Sequence, residues 1–538
     1  MSSLSYTHGV SSVPLLGETI GENLRKTVER FGDREALVVR HQKFRATYND
    51  LWAGVALTAR ALLARGVKTC DRVGMWAPNR YEWILVQYAA ARIGAILVNI
   101  NPAYKATELE YALNKSGVSF LVMAERFRQT DYTAILAEIR GRCPKLRDTV
   151  VLESDWPAFL AESSAVSETA LKEIESHLQF DDAINIQYTS GTTGFPKGAT
   201  LSHHNILNNA YFTSELLRYT EQDRVCVPVP FYHCFGMVLA NLCCTCRGAC
   251  IVVPSESFNP LAVLETVAEE KCTSLYGVPT MFIAELNQPR FDEFDLSSLR
   301  TGLMAGAPCP MEVIRKVQTK MHMQEVAILC GMTETSPGST QTTPDDPLEK
   351  RVETVGRAHP HAEIKIIDPA TGEIVPRGIA GEQCTRGYLV MIGYWDDLEA
   401  TAKAIDSAGW MHTGDLAAMD DEGYVRIVGR IKDMIIRGGE NIYPREVEEF
   451  LHTIEGVADV QVIGIPDETY GEEVMAWIKL AEGARLTGEQ LKAKCSGRIA
   501  TYKIPRYWKF VDAFPMTVTG KVQKFRMREM AVAELKET

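Results

Sequence analysis

The hydrophobic positions of this chain follow two alternating periods. In TYNDLWAGVALTARALLARGV, from Thr47, apolar residues recur at three- and four-residue spacing between an Asn-Asp start and Gly66, which predicts an amphipathic helix. DRVGMWAP, YEWILVQYAAARIGA and ILVNINP then predict strand, helix and strand, and further strands are expected in SFLVMAE, DAINIQYTS and VCVPVPFYH. This βαβ succession places helices on both faces of largely parallel sheets. Between Ile364 and Tyr394 the runs shorten and tight turns such as DPATGEIVPRG appear, the texture of a small β-rich subdomain. After GYVRIVGRIKD the order becomes helix, strand, loop, strand. The expected fold class is therefore α/β. Residues 1–430 form a large N-terminal domain of layered parallel sheets flanked by helices plus the β-rich subdomain, and residues 431–538 form a small C-terminal α+β domain.

Composition narrows the function. The 538 residues, 46% of them hydrophobic, can bury several cores, and a net charge of −12 supplies no general basic field for a nucleic acid. Small anions would have to be held locally. The N-terminus has no basic n-region with an apolar core, and no run of about 18 apolar residues occurs, so a cytoplasmic chain without a transmembrane segment is expected. A homo-oligomer is left open. The thirteen cysteines are scattered as reduced thiols would be; Cys243, Cys244, Cys246 and Cys250 lack paired C-x-x-C spacing and read as small buried side chains on a helix leading into a strand. The acidic stretch from Glu153 to Phe180 reads as a solvated surface excursion. His203 and His204 read as a helix start.

Candidate chemistry concentrates in YTSGTTGFPKGATLSHHN, from Tyr188 to Asn205. It is not a Walker A loop, because its lysine precedes the glycine. A strand ending at Tyr188 would deliver Thr189, Ser190, Gly191, Thr192, Thr193 and Gly194 as backbone N–H groups and hydroxyls, followed by Phe195, Pro196 and Lys197. Such a nest with one point charge suits a pyrophosphate.

This stretch, with PFYHCFG from Pro230, GMTETSPG from Gly331, WMHTGDLA from Trp410, GRIKDMIIRGGENIYPREVE from Gly429 and PMTVTGKVQK from Pro515, resembles the acyl-activating, adenylate-forming superfamily over nearly the whole chain. The text is most similar to fatty-acyl-CoA synthetases of the short- to medium-chain kind. The resemblance implies that a carboxylic acid reacts with ATP to give acyl-AMP and pyrophosphate, after which the thiol of coenzyme A displaces AMP. A ligase for an aryl or other non-fatty acid, or a luciferase-like oxygenase, shares these motifs. A carrier-loading module would need a carrier, and only a short tail follows Lys521.

The same resemblance assigns residues. Lys197 and the 189–194 nest would hold the β- and γ-phosphates, Glu334 would bind Mg²⁺, and Thr333 would contact the α-phosphate. Gly306, Ala307 and Pro308 would flank adenine, where Cys330 stands in place of the stacking aromatic of many relatives. Asp415 and Arg430 would hold the ribose. Lys521 would bridge the carboxylate and the α-phosphate. The small C-terminal domain would be mobile, turning about Lys432, and Gly439 within Arg437 to Asn441 would line the path of pantetheine. His233, with Phe235 and Gly236, would lie near the carboxylate, and the small Gly236 and Gly306 suggest room for an acyl chain.

Overall fold

The structure, a computed structural model, describes residues 3–189, 196–307, 309–438, 440–517 and 521–537. The βαβ reading holds for both large sheets. In the first, Ala183–Thr189, Ile96–Asn99, Arg72–Trp76, Phe120–Met123 and Asp148–Val151 run parallel, and Lys197–Ser202 and Gly393–Tyr394 add an antiparallel edge. In the second, six parallel strands from Glu325–Gly331 to Glu35–Val39 carry short antiparallel strands at both edges.

One core cluster joins the sheets. It contains Val73, Met75 and Leu97 of the first, Leu37, Ile251 and Tyr276 of the second, and Trp83, Tyr88, Ile206 and Leu207 from helices between them. The helix Tyr81–Arg92 is therefore buried on nearly every side, as its almost unbroken apolar text requires. VCVPVPFYH yields a strand only over Arg224–Cys226; Pro228 and Pro230 have no N–H to extend a ladder. The cysteine cluster lies where expected, buried on the helix Cys243–Arg247 and at the start of the strand Cys250–Val253, and all thirteen cysteines are free.

The acidic stretch departs from expectation. Trp156, Phe159 and Leu171 are buried, and Glu162 and Glu175 bind Arg65 and Arg92, so the excursion is docked onto the domain rather than solvated. Apolar residues among the acids supply the docking face, and the arginines neutralise what is brought near the core.

The β-rich portion is an antiparallel sheet ordered Tyr6–His8, Ala362–Ile367, Gly381–Gly387, Met411–Met419 and Val425–Arg430. Beyond it, strands between Ile435 and Phe510 form a separate sheet. Two core clusters packed on that sheet draw their buried members entirely from residues 435–531. Arg445, on the helix Pro444–His452, donates from Nη1 to the Ile427 carbonyl at 3.1 Å and so ties this part to the preceding strand.

Candidate functional site

Strand carboxyl ends build the site, as they do in open α/β sheets. Thr189 ends its strand opposite Lys197, which begins the next. The Thr189 hydroxyl donates to Glu334 Oε1 at 3.1 Å, and the Tyr394 phenol donates to the same oxygen at 2.9 Å. Glu334 lies in the turn Thr333–Thr335 just past the strand Glu325–Gly331 and is 5% exposed. Its carboxylate thus couples the carboxyl ends of the two large sheets. The Lys197 ammonium stands 5.0 Å from the centroid of the Tyr394 ring, a cation–π distance. Burial first, then the Glu334 charge, raises the Tyr394 pKa and keeps the phenol a neutral donor. Residues 190–195, Pro308 and Gly439, all expected in the site, lie outside the described residues.

The C-terminal lysine reaches this same place. The Lys521 N–H donates to Thr517 Oγ1 at 3.0 Å, and the Thr517 N–H returns to the Lys521 carbonyl at 2.7 Å. Gly306, at φ +85°, follows the strand Thr301–Ala305; a Cβ there would lie 3.2 Å from Val278 Cγ1 and 3.6 Å from Lys521 Cε. The space expected for an acyl chain at Gly306 is the space that admits this lysine. Burial lowers the Lys521 pKa, and Arg430 lowers it further, against Cys234, Asp415 and Glu334. Burial thus disfavours the ammonium form, and the Asp415 and Glu334 carboxylates oppose that effect.

His233 caps the turn Cys234–Gly236, its Nδ1 accepting from the Phe235 N–H at 3.2 Å. The proton of the neutral ring is then on Nε2. Burial, with the Lys521 charge, pushes its pKa down to about 3. Cys234 Sγ lies 3.7 Å from Thr333 Oγ1, and burial pushes this thiol up to about 11. Gly236 does not open a tunnel by lacking a side chain. A Cβ there would sit 2.4 Å from the Pro230 carbonyl oxygen, so the glycine is fixed by backbone contact. Phe235 stacks on Tyr276, ring centroids 5.6 Å apart.

Asp415 and Arg430 face each other across paired strands, with Nε 2.9 Å from Oδ1. Burial raises the Asp415 pKa although Arg430 opposes it. Cys330, pushed up to about 12 by burial, lies within the field of both. Lys432 is exposed in the turn Ile431–Asp433, immediately after that strand, and does not join the cluster. Ala307 holds the Cys309 thiol on its carbonyl at 3.4 Å. A cavity of about 500 Å³ adjoins the cluster, its wall including Pro230, Tyr232, Phe258, Met281, Met516 and Thr517.

Known proteins give this geometry a context. The AMP-binding enzyme family matches residues 24–395, and the AMP-binding enzyme C-terminal domain matches residues 446–521. The chain belongs to the AMP-binding enzyme family. It is an adenylate-forming ligase. The chain is 47% identical to YngI of Bacillus subtilis (strain 168), covering 96% of this chain and 98% of that one. It is 46% identical to the mitochondrial medium-chain acyl-CoA ligase ACSF2 of Danio rerio, covering 99% and 91%. Among solved structures it is similar to the anthranilate CoA ligase AuaEII in complex with anthranoyl-AMP, with a TM-score of 0.86 and 26% identity over 97% of this chain and 99% of that one. For ATP-bound MatB from Rhodopseudomonas palustris the values are 0.82 and 28%, over 96% and 99%. Among the described residues, no helix of this AMP-binding enzyme is long and apolar enough to cross a membrane. Sequence reasoning missed Tyr394, whose only signal is its place after a glycine in MIGYWDD, and Arg445, whose partner is a backbone carbonyl in another element.

Proposed function

We infer that this protein is an acyl-CoA ligase that activates a short- to medium-chain fatty acid with ATP and passes the acyl group to coenzyme A. The observation that carries this reading is the placement of Lys521, brought from the C-terminal part into a half-buried position beside Gly306 and within the field of His233, Asp415 and Glu334. The names of similar proteins, among them the medium-chain acyl-CoA ligase of Danio rerio, support the substrate class.

In the first half-reaction a carboxylate oxygen attacks the α-phosphorus of ATP and pyrophosphate leaves. Two anions meet, so fixed donors and cations govern the barrier. Lys197 with the 189–194 nest grips the terminal phosphates, and Thr333 steadies the α-phosphate. Asp415 and Arg430 hold the ribose, while Gly306, Ala307 and Pro308 flank the base. Lys521 meets the carboxylate and α-phosphate together. The neutral His233 can donate from Nε2 without adding a charge. Glu334, with the Thr189 hydroxyl on its Oε1, offers hard oxygen donors that fit Mg²⁺, which when bound would neutralise phosphate charge. In the second half-reaction the coenzyme A sulfur attacks the acyl carbonyl carbon, its thiol proton is lost, and AMP leaves. For that step residues 431–538 turn as a unit about Lys432, withdrawing Lys521 and bringing Gly439 towards pantetheine.

The test is AMP release with coenzyme A and a panel of straight-chain acids from acetate to palmitate, with benzoate and anthranilate as aryl arms. A maximum in kcat/KM within the short- to medium-chain range is expected. Turnover confined to the aryl acids, or AMP release that does not depend on coenzyme A, would remove the reading.

A further inference from the structure

The turn that carries Asp415 is held by a side chain rather than by the sheet. Glu382 opposes Leu416 and Cys384 opposes His412, so the single residue Gln383 on one strand faces Thr413, Gly414 and Asp415 on the other. Such a bulge interrupts the ladder and bends the strand that contains it. Gly414 takes φ +69°, the left-handed region, to close the bend. The Glu382 carboxylate supplies the acceptors: Oε1 takes the Gly414 N–H at 3.1 Å and Oε2 takes His412 Nδ1–H at 3.0 Å. Thr413 completes the frame, donating to the Gln383 carbonyl at 2.7 Å and accepting from the Asp415 N–H at 3.1 Å. The Glu382 side chain is only 12% exposed, so solvent competes little for these bonds.

We propose that Glu382 is a positioning residue for nucleotide binding: its carboxylate sets the bulge backbone at Gly414 and so fixes where Asp415 presents its oxygens to the ribose. Glu382 itself touches no substrate. The proposal rests on the reading of Asp415 as the ribose acceptor. A glutamate suits the position because it must accept two bonds at once. Glutamine places an acceptor oxygen at only one of the two positions, but its NH₂ at the other can donate to Nδ1 if His412 takes the other tautomer. Glu382→Gln should therefore keep much of the frame. Leucine keeps the bulk and loses both bonds.

The test compares kcat/KM for ATP with that for 2′-deoxy-ATP and 3′-deoxy-ATP. The native enzyme should prefer ATP by roughly tenfold to a hundredfold, the scale of one hydrogen bond to a charged group. Asp415→Ala should abolish that preference; if it does not, the ribose reading of Asp415 is wrong, whatever Glu382 does. With that reading intact, Glu382→Leu should raise KM for ATP, leave KM for the acid and for coenzyme A unchanged, and bring the ATP/deoxy ratio to within about threefold, near the value expected once the oriented bond is gone. Glu382→Gln should restore most of the ratio. Should Glu382→Leu fail to fold, Glu382→Asp, which withdraws the carboxylate by one methylene, must show the lowered ratio, and more strongly than Glu382→Gln. A purely structural role would lower turnover with all three nucleotides equally, and an unchanged ratio in Glu382→Leu or Glu382→Asp overturns the proposal. Because Glu382, Cys384 and His412 place ligand atoms within 4.8 Å of one another, stoichiometric zinc in the purified enzyme would make Glu382 a metal ligand and overturn it too.

Discussion

Replacing Lys521 with alanine should separate the two half-reactions. Its Cε lies 3.6 Å from where a Gly306 Cβ would be, which sets the ammonium at the carboxyl end of the strand Thr301–Ala305. A unit charge about 4 Å from a phosphate oxygen contributes about 4 kcal/mol at an effective dielectric constant near 20. Burial lowers the Lys521 pKa, so part of that gain is spent keeping the proton on, and a net loss of about 3 kcal/mol, or ~10²-fold in adenylation, is expected. Pyrophosphate release in single-turnover conditions measures this half. The second half is read by supplying synthetic acyl-AMP and coenzyme A and following acyl-CoA by chromatography. Thioester formation should stay within about twofold of native, because an interaction made only in the first transition state is absent from the second. In the proposed role Lys521 acts as the ammonium. In the free enzyme adenylation should therefore decline as pH rises through a value below the ordinary 10.5, and this alkaline limb should vanish in the mutant. Equal slowing of both halves would refute the reasoning.

Three further outcomes follow from particular contacts. Arg445→Ala removes the Nη1 bond to the Ile427 carbonyl, which turning about Lys432 would have to break; adenylation should fall roughly 3- to 10-fold while thioester formation from acyl-AMP is unchanged or faster, and equal loss in both halves would show that this bond does not hold the adenylating orientation. His203 and His359 are buried and His233 is half-buried, and desolvation pushes the pKa of each down to about 3, so each takes up a proton on unfolding below its unfolded value near 6.5. Stability contributed by their neutral forms is present above pH 6.5 and is lost towards pH 3, at up to about 4 kcal/mol per pH unit for three protons; urea unfolding should show His359→Gln shedding about a third of that slope, and an unchanged slope would contradict it. Gly306→Ala places a methyl group 3.2 Å from Val278 at a φ of +85°, so it should cost about 1 kcal/mol of stability and slow adenylation more than thioester formation; a thioester loss as large would move Gly306 away from Lys521.

The parts that sequence made legible are those with a period or a local motif. The βαβ succession and the helix-to-strand setting of the cysteine cluster depend on spacings within a few residues, and they appear as expected; the β-rich sheet appears too, but it extends past Tyr394 to Arg430 and takes in Tyr6–His8, while Gly393–Tyr394 joins the first large sheet. Thr189, Thr333, Glu334, Asp415, Arg430 and Lys521 are marked by local motifs, although only the fold brings them near one another. What stayed hidden depends on separation. Tyr394 meets Glu334 across 60 residues, Glu382 meets Gly414 across 32, and the docking of residues 153–180 depends on Arg65 and Arg92 far upstream. None of these pairings leaves a local periodic trace.

Glycine is the sharpest case, because one letter serves opposite needs. Gly236 and Gly306 both suggest space for an acyl chain, yet a Cβ at Gly236 would strike the Pro230 backbone and one at Gly306 would crowd Val278 beside Lys521. The first glycine lets backbone approach backbone; the second lets a charge from another part of the chain approach a strand end. Acyl length must then be set by side chains around this arrangement rather than by these gaps. Enlarging Gly236 would disturb the turn that orients His233 before it could measure chain length. Specificity should instead respond to changes at apolar side chains, such as those of Met281 and Phe258 on the cavity wall, where volume can change without moving backbone.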